Sequence, residues 1–545
     1  MPSNEPATDR TWMVRLLVCL TPLAFGAYAL WVGQDNSWDL RNYHYYNPFA
    51  FLTGRLGYDV AVSHVATYYN PLMYIPFYWA VSSLPPKPIG FLLGAIPGLN
   101  MLILYGIARQ VISLASPLRT AGLCFAAAAV GMLGQTVIAE TGTSYGDTVV
   151  SLPVLAAVWL IMNYRERFAE SVRRGWPVAA GAGLLVGAAL GVKLPFAVYA
   201  VGICAAFFGL RLPFRRRFWL AFIFGLGVLG GAALTSGFWM VEMWERYRNP
   251  LFPYFNQFFN SPWGAIGSYR DERFIPKHLP MWLLFPFWFN FDPIRVGEIP
   301  FRDLRFPVLY VLLVALLVLW VWTRCTGRAA APRPEAAAPG RPPVTGFFVV
   351  FMVVCFVVWM KLFGIYRYIV VCELLAPTAL FLFLGPLFPV RRRQVGAALA
   401  GFAFLLLTLQ PGDWGRKPWA DTYFGFTPPR LNDPADTIVL LTGHDAVAYM
   451  IPFFPPQVRF LRIQGYVTGP SDTPNETDRM MRRTIEAHTG PLYILYRVYE
   501  EWHAEMALAD YRLRLDPATC VTFVPEVEPQ QEHDFYFCTV EKLHP

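Results

Sequence analysis

Charge is what this sequence has least of: 15% of its 545 residues are Asp, Glu, Lys or Arg, against 55% hydrophobic. With a mean hydropathy of +0.38, that scarcity excludes a soluble globular protein and implies a polytopic membrane protein. No Gly-rich phosphate loop is present, and Thr442-Gly-His-Asp445 reads only as a strand-to-helix turn. His278 has no second histidine at metal spacing, so the sequence gives no ground for zinc. No internal repeat of the transporter kind is visible. The first apolar run, Thr11–Val32, lacks a small-residue cleavage site and is expected to remain as a first span. Cys19, Cys124, Cys204, Cys355 and Cys372 lie in apolar runs and Cys325 at a cytoplasmic edge. Only Cys520 and Cys538 fall where an oxidising compartment would allow a disulfide, and spacing alone leaves that pairing open.

Apolar runs are abundant. Eleven of them, near 12–32, 88–108, 119–138, 148–163, 177–192, 194–210, 218–238, 306–323, 346–363, 369–388 and 395–411, are expected to be spans. Asn70–Leu84 is too short, contains Pro76 and is rich in Tyr and Trp, so it is expected to lie at the membrane surface. Lys plus Arg exceed Asp plus Glu by 45 to 37, but the excess sits in loops and reports topology, not nucleic acid. With Asn70–Leu84 at the surface, one side collects Arg109, Arg119, Arg165, Arg167, Arg173, Arg174, Arg211, Arg215, Arg216, Arg217, Arg324, Arg328, Arg333, Arg341, Arg391, Arg392 and Arg393. The positive-inside rule makes that side cytoplasmic.

The expected architecture is therefore an α-helical polytopic membrane domain, residues 1–411, with outer loops 33–87 and 239–305. Residues 326–346 read as an Ala/Pro-rich cytoplasmic linker. Residues 412–545 read as an extracytoplasmic α/β domain. Its expected strands are Thr437–Thr442, Arg459–Ile463, Pro491–Val498 and two around Cys520 and Cys538. Its expected helices are Asp445–Phe453, Thr477–His488 and Glu500–Tyr511. The chain should sit as a multi-pass protein in a bacterial-type inner or plasma membrane.

The residues that could carry chemistry gather at the outer ends of spans. Asp35 and Asp39 follow the first span directly, and acids at a membrane interface are costly unless paired or used. Glu140 and Asp147 occupy a loop too short to take them far from the bilayer, so they should face the same outer cavity as Asp39. Lys193 interrupts an apolar stretch between two spans, and Arg367-Tyr368 does the same later in the chain. Snorkelling accounts for either cation singly. Two cations facing a loop with acids suit a phosphate-bearing substrate better. Asn47-Pro48, Asn70-Pro71 and Asn249-Pro250 each read as the start of a short surface helix, with Asn as cap and Pro as first helical residue.

These residues, in this order, resemble the GT-C superfamily of polytopic glycosyltransferases, such as protein O-mannosyltransferases and the aminoarabinose transferase of lipid A. Asp39-Leu-Arg-Asn-Tyr43 stands where that family carries an Asp-Glu-x-x-Tyr-like motif, and Phe49-Ala-Phe-Leu-Thr-Gly54 resembles the apolar helix that follows it. Asp147 resembles the family's second acidic position, Gly191-Val-Lys193 its Thr-Lys-Gly-like element, and Arg367-Tyr368 a late Arg-Tyr pair. Asp39 is expected to be the catalytic base, with Asp35, Tyr43, Glu140, Asp147, Lys193, Arg367 and Tyr368 binding substrate. The resemblance implies transfer of a sugar, with inversion, from a polyprenyl-phosphate donor to a glycan, lipid or protein acceptor on the outer face. Membrane lipid is the surrounding partner and nucleic acid is not one. Leu40 replaces the acid that in some relatives helps to hold a divalent ion, so no cofactor is certain and a divalent metal stays open. The alternatives are a transporter or flippase of lipid-linked sugars, which predicts charges at mid-membrane, and an assembly protein whose outer domain does the work.

Overall fold

The computed structural model describes residues 10–327, 343–528 and 534–543. Most of the expected linker, with Arg328, Arg333 and Arg341, lies outside the described residues. Seven helices are long and apolar enough to cross a membrane: Thr11–Val32, Pro86–Val111, Val172–Val192, Phe214–Tyr247, Arg305–Thr326, Thr345–Leu362 and Tyr366–Leu387. The remaining expected spans are helical but fall short in length or composition. Pro117–Met132, Asp147–Asn163 and Leu194–Gly209 are shorter apolar helices, about 24–26 Å each at 1.5 Å per residue, against a core of about 30 Å. Arg391–Thr408 opens on three arginines. A further apolar helix, Leu279–Phe291, lies within the long outer loop.

Small residues set the closest helix pair. A side chain on Gly183 or Gly187 would meet the backbone of Phe224 or Val228 at 2.2 or 2.1 Å, and one on Gly231 would meet Leu184 O at 2.1 Å. Glycines one turn apart on Val172–Val192 and Phe214–Tyr247 therefore let the two backbones touch, the small-residue packing that replaces a hydrophobic drive inside lipid. Val172–Val192 stops at Lys193, two residues before Pro195, which could not continue a helix. The Asn70 amide then donates to Gly191 O at 3.0 Å and Thr235 O at 2.9 Å, fastening the surface segment onto this pair.

That segment is a short 3-10 turn, Leu72–Tyr74, followed by the helix Ile75–Ser83, only about 14 Å long and unable to span. Of the three Asn-Pro pairs, only Asn70 behaves as expected, accepting from Leu72 N at 3.0 Å. Asn47 lies inside the helix Tyr46–Leu52 and donates instead to Ala66 O. Asn249 closes a turn by accepting from Leu251 N and donating to Tyr254 O, so no helix starts there.

The C-terminal domain is built on a sheet ordered Arg459–Arg462, Ile438–Leu441, Leu492–Arg497, Phe535–Lys542, Leu513–Leu515, with Val521–Phe523 also pairing with Phe535–Lys542. The first three strands are parallel and the rest antiparallel. Every residue of Ile438–Leu441 and Leu492–Arg497 is buried, as parallel strands covered on both faces require. Cys520 and Cys538 are disulfide-bonded. Helix Glu476–Ala487 starts at a capping box in which Asn475 and Asp478 satisfy each other's backbone. The expected helix Asp445–Phe453 is only a 3-10 segment, Ala448–Phe453. Pro452 inside it denies the chain a regular α-helical bond.

The loop after the first apolar helix is folded into this domain. Residues Gln34–Asp35 pair antiparallel with Arg416–Lys417, and Val60 extends the sheet edge by bonding Phe460 O at 2.9 Å and Arg462 N at 3.0 Å. Arg55 ties Asp59 to the carbonyls of Pro456 and Val458. Deeper in, Arg41 contacts Glu528 directly and lies 3.8 Å from Asp445, while Arg497 contacts Asp445 and lies 2.7 Å from Glu528. Tyr449 donates to Glu528 at 2.6 Å. Two cations and two anions thus cancel in the dark between loop and domain. Arg497→Met, which leaves both acids short of a partner, is expected to cost about 3–5 kcal/mol. A thermal unfolding midpoint unchanged from wild type would show that the cluster does not hold loop to domain.

Candidate functional site

Asp39 closes the approach to a single π-helical turn, Leu40–His44, a rare geometry that recurs at functional sites. The turn is held by a reciprocal pair: Asn42 donates to Ser63 O at 3.2 Å and Ser63 Oγ to Asn42 O at 2.6 Å. With Arg41 anchored in the C-terminal domain, the Asp39 carboxylate faces back toward the membrane helices.

There it meets Arg367, whose Nη2 lies 3.0 Å from Asp39 Oδ2. Nη1 of the same guanidinium is 3.6 Å from Asp147 Oδ2, and Lys193 Nζ is 2.7 Å from Asp147 Oδ1. Four charges alternate in sign along one line: Asp39, Arg367, Asp147, Lys193. Each comes from a chain break the sequence dictates. Asp147 is the first residue of Asp147–Asn163, where the helix dipole favours an anion. Lys193 ends Val172–Val192 and also donates to Tyr145 O at 2.9 Å. Arg367 follows Gly364, whose φ of +67° and close approach to Phe274 O (2.2 Å from a built Cβ) suit glycine. The guanidinium stacks over Tyr145 at 4.6 Å and Tyr368 at 5.0 Å, and Lys193 lies 5.8 Å over Tyr368. Among the described residues, Arg367 Nε and Nη1 have no hydrogen-bond acceptor. A buried cation with unspent donors is a place for an anion.

Tyr43 packs edge-on against Tyr69 and Tyr74, at 5.3 and 5.7 Å between centroids. Burial, and then the Asp39 charge, push the Tyr43 phenol well above its ordinary range, so it stays a donor.

Asp35 and Glu140 take other roles. The Asp35 carboxylate accepts from Ser37 N at 2.9 Å, Ser144 N at 2.8 Å and Ser144 Oγ at 2.7 Å. Those bonds pin the loop that carries Asp147, which makes Asp35 a positioning group and not one free for substrate. Glu140 is buried and accepts from Thr148 N at 3.1 Å. Burial, and then the neighbouring Asp147 charge, raise its carboxyl well above the usual range.

His44 and Ser144 belong to the site and carry no motif that would reveal them in sequence. Ser144 Oγ gives its proton to Asp35, so at 2.8 Å it accepts one from His44 Nδ1. The order of bonds assigns the tautomer and leaves a lone pair on His44 Nε2, which has no partner among the described residues. The ring stacks on Tyr74 at 4.2 Å. Burial first, and then Lys193 and Arg367, drive the His44 pKa well below its free value of 6.5.

No protein-family model, curated protein or solved structure matches the chain. The functional reading therefore rests on side-chain geometry. Because His44 is held neutral, the folded state binds fewer protons than the unfolded one once the pH drops below 6.5. Its contribution to stability is complete above that pH and declines below it. The unfolding midpoint should accordingly fall as the pH is lowered through 6.5, and His44→Gln should flatten that fall. An identical pH profile in the variant would mean that His44 is not held neutral by the fold.

Proposed function

We propose that the chain is a glycosyltransferase of the GT-C kind, taking a sugar from a polyprenyl-phosphate donor and passing it, with inversion, to an envelope acceptor on the non-cytoplasmic face. The observation that carries this reading is the juxtaposition of Asp39 with the unspent donors of Arg367, 3.0 Å apart at the ends of membrane helices. A carboxylate beside a phosphate-accepting cation is what such a transfer needs. As the acceptor hydroxyl oxygen forms its bond to the anomeric carbon, Asp39 takes the hydroxyl proton. The bond from that carbon to the phosphate oxygen breaks on the opposite side, and its electron pair leaves with the phosphate. Arg367 meets the charge that develops there. Lys193 and Asp147 keep Arg367 aimed, and Tyr145 and Tyr368 confine its plane. A metal is not required in this scheme, since the guanidinium performs the charge stabilisation. The charges lie at helix ends and loops and not at mid-span, which favours the enzyme over a flippase.

The proposal includes eleven crossings, the four shorter or more charged helices among them, with the C-terminal domain outside a bacterial-type inner membrane. Reporters placed in 164–171 and after residue 545 are expected on opposite sides of the membrane. If both report one side, the count is wrong by an odd number.

Asp39→Asn keeps the shape but cannot take a proton, so sugar transfer in membranes containing the variant should fall by about 10²–10⁴-fold with normal protein level. Asp35→Asn is expected to lower the protein's stability and level, since it weakens the Ser37 and Ser144 bonds. Wild-type transfer by Asp39→Asn would end the base assignment. Wild-type transfer by Arg367→Gln would remove the phosphate cradle with it.

A further inference from the structure

The outer domain brings together two histidines and a glutamate that lie far apart in sequence. His444 follows strand Ile438–Leu441, and Glu500 follows strand Leu492–Arg497, its parallel neighbour. His503 is one helical turn beyond Glu500, at the start of Glu501–Asp510. All three stand at the carboxyl ends of adjacent parallel strands, where open α/β sheets bind their ligands. One ligand atom from each lies within 4.8 Å of the other two.

Part of this arrangement is ordinary. Glu500 Oε1 accepts from His444 N at 2.6 Å and so caps the turn between strand and loop. The remainder is not spent in that way. Glu500 Oε2 and His503 Nδ1 are buried and have no hydrogen-bond partner among the described residues. The donors of the nearby Arg462 go to the carbonyls of Val62, Gly443 and Asp445 and not to the carboxylate. Gly443 is required for the carboxylate to sit here, because its φ is +87° and a Cβ would fall 2.0 Å from Glu500 Oε2. A buried carboxylate oxygen and a buried ring nitrogen left without partners are costly unless something shares them.

We propose that His444, Glu500 and His503 bind a divalent transition-metal ion of the zinc class, with a fourth position open. Two imidazole nitrogens and one carboxylate oxygen are a zinc ligand set, and three protein ligands leave room for water or a bound group. Tetrahedral zinc with bonds of about 2.0–2.1 Å separates its ligand atoms by roughly 3.3 Å. The three atoms must therefore close by at most about 1.5 Å from 4.8 Å, a shift within reach of side-chain rotation. His444 is the partly exposed member and the one free to make it. The site is tied to the loop before Asp39 by an aromatic chain: His444 lies 4.6 Å from Tyr466, Tyr466 lies 4.8 Å from His64, and His64 stacks on Trp38 at 6.1 Å. Metal at this edge would hold the outer domain's rim against that loop, whatever reaction the loop serves.

The test uses the full chain in detergent, purified without a polyhistidine tag, loaded with zinc and then dialysed against metal-free buffer. Wild type should retain about one zinc per chain, and His444→Ala and His503→Ala should fall to background. His444→Ala alters a partly exposed side chain, so its unfolding in metal-free buffer should match wild type. Cobalt(II) added to wild type should give the intense visible absorption of a four-coordinate site, a readout that needs no variant. Zinc retention equal in wild type and both variants, or cobalt absorption no stronger than that of the free aqueous ion, would overturn the proposal.

Discussion

Four ionisable side chains share one buried space between the membrane helices and the C-terminal domain, and their signs alternate along it. Asp39, Arg367, Asp147 and Lys193 are each at or below 9% exposed as residues or side chains, save for the Asp39 carboxylate at 13%. Burying any one alone would cost several kcal/mol. Arranged in sequence, each cation lies between anions or against an aromatic face, and the desolvation is offset locally. The same arrangement pins four chain breaks together: the π-turn after the first span, the start of Asp147–Asn163, the end of Val172–Val192 and the turn at Gly364. The candidate site and the architecture thus depend on one set of contacts.

The outer domain has a direct part in that set. Arg41, two residues from Asp39, is neutralised by Glu528 and Asp445 of the domain. Asp35 holds Ser144, three residues from Asp147. The two acids of the candidate site are therefore each positioned by a neighbour that answers to a different body, one to the outer domain and one to the first loop. A motion of the domain relative to the helices would be felt first at Asp39, where the Arg367 contact is an ion pair at 3.0 Å without the alignment of a hydrogen bond.

Periodicity, turn residues and composition are local properties, and they marked the outer domain's strands at Ile438–Leu441, Arg459–Arg462 and Leu492–Arg497, and its helices at Glu476–Ala487 and Glu501–Asp510, to within a residue or two. The helix after Asn70, Ile75–Ser83, was equally legible as one too short to span. Local patterns failed where a tertiary partner decided. Asn47 was claimed by Ala66 O, Asn249 by Tyr254 O, and Pro452 shortened a helix that its neighbours would otherwise support.

The sequence by itself determined that this chain enters a membrane and carries an α/β domain after its last apolar helix. It also determined that scarce charges gather at helix ends, since the cost of burying charge follows from composition alone. Only the tertiary structure decided which charges meet. Arg367 comes within 3.0 Å of Asp39 although most of the chain's apolar helices separate them in sequence, Asp35 turns to Ser144, and His444 comes to face His503. Such pairings depend on which helices pack, and that choice is made by surfaces such as the glycine rows of Val172–Val192 and Phe214–Tyr247. A one-dimensional pattern records what each segment must bury, but not the partner against which it is buried.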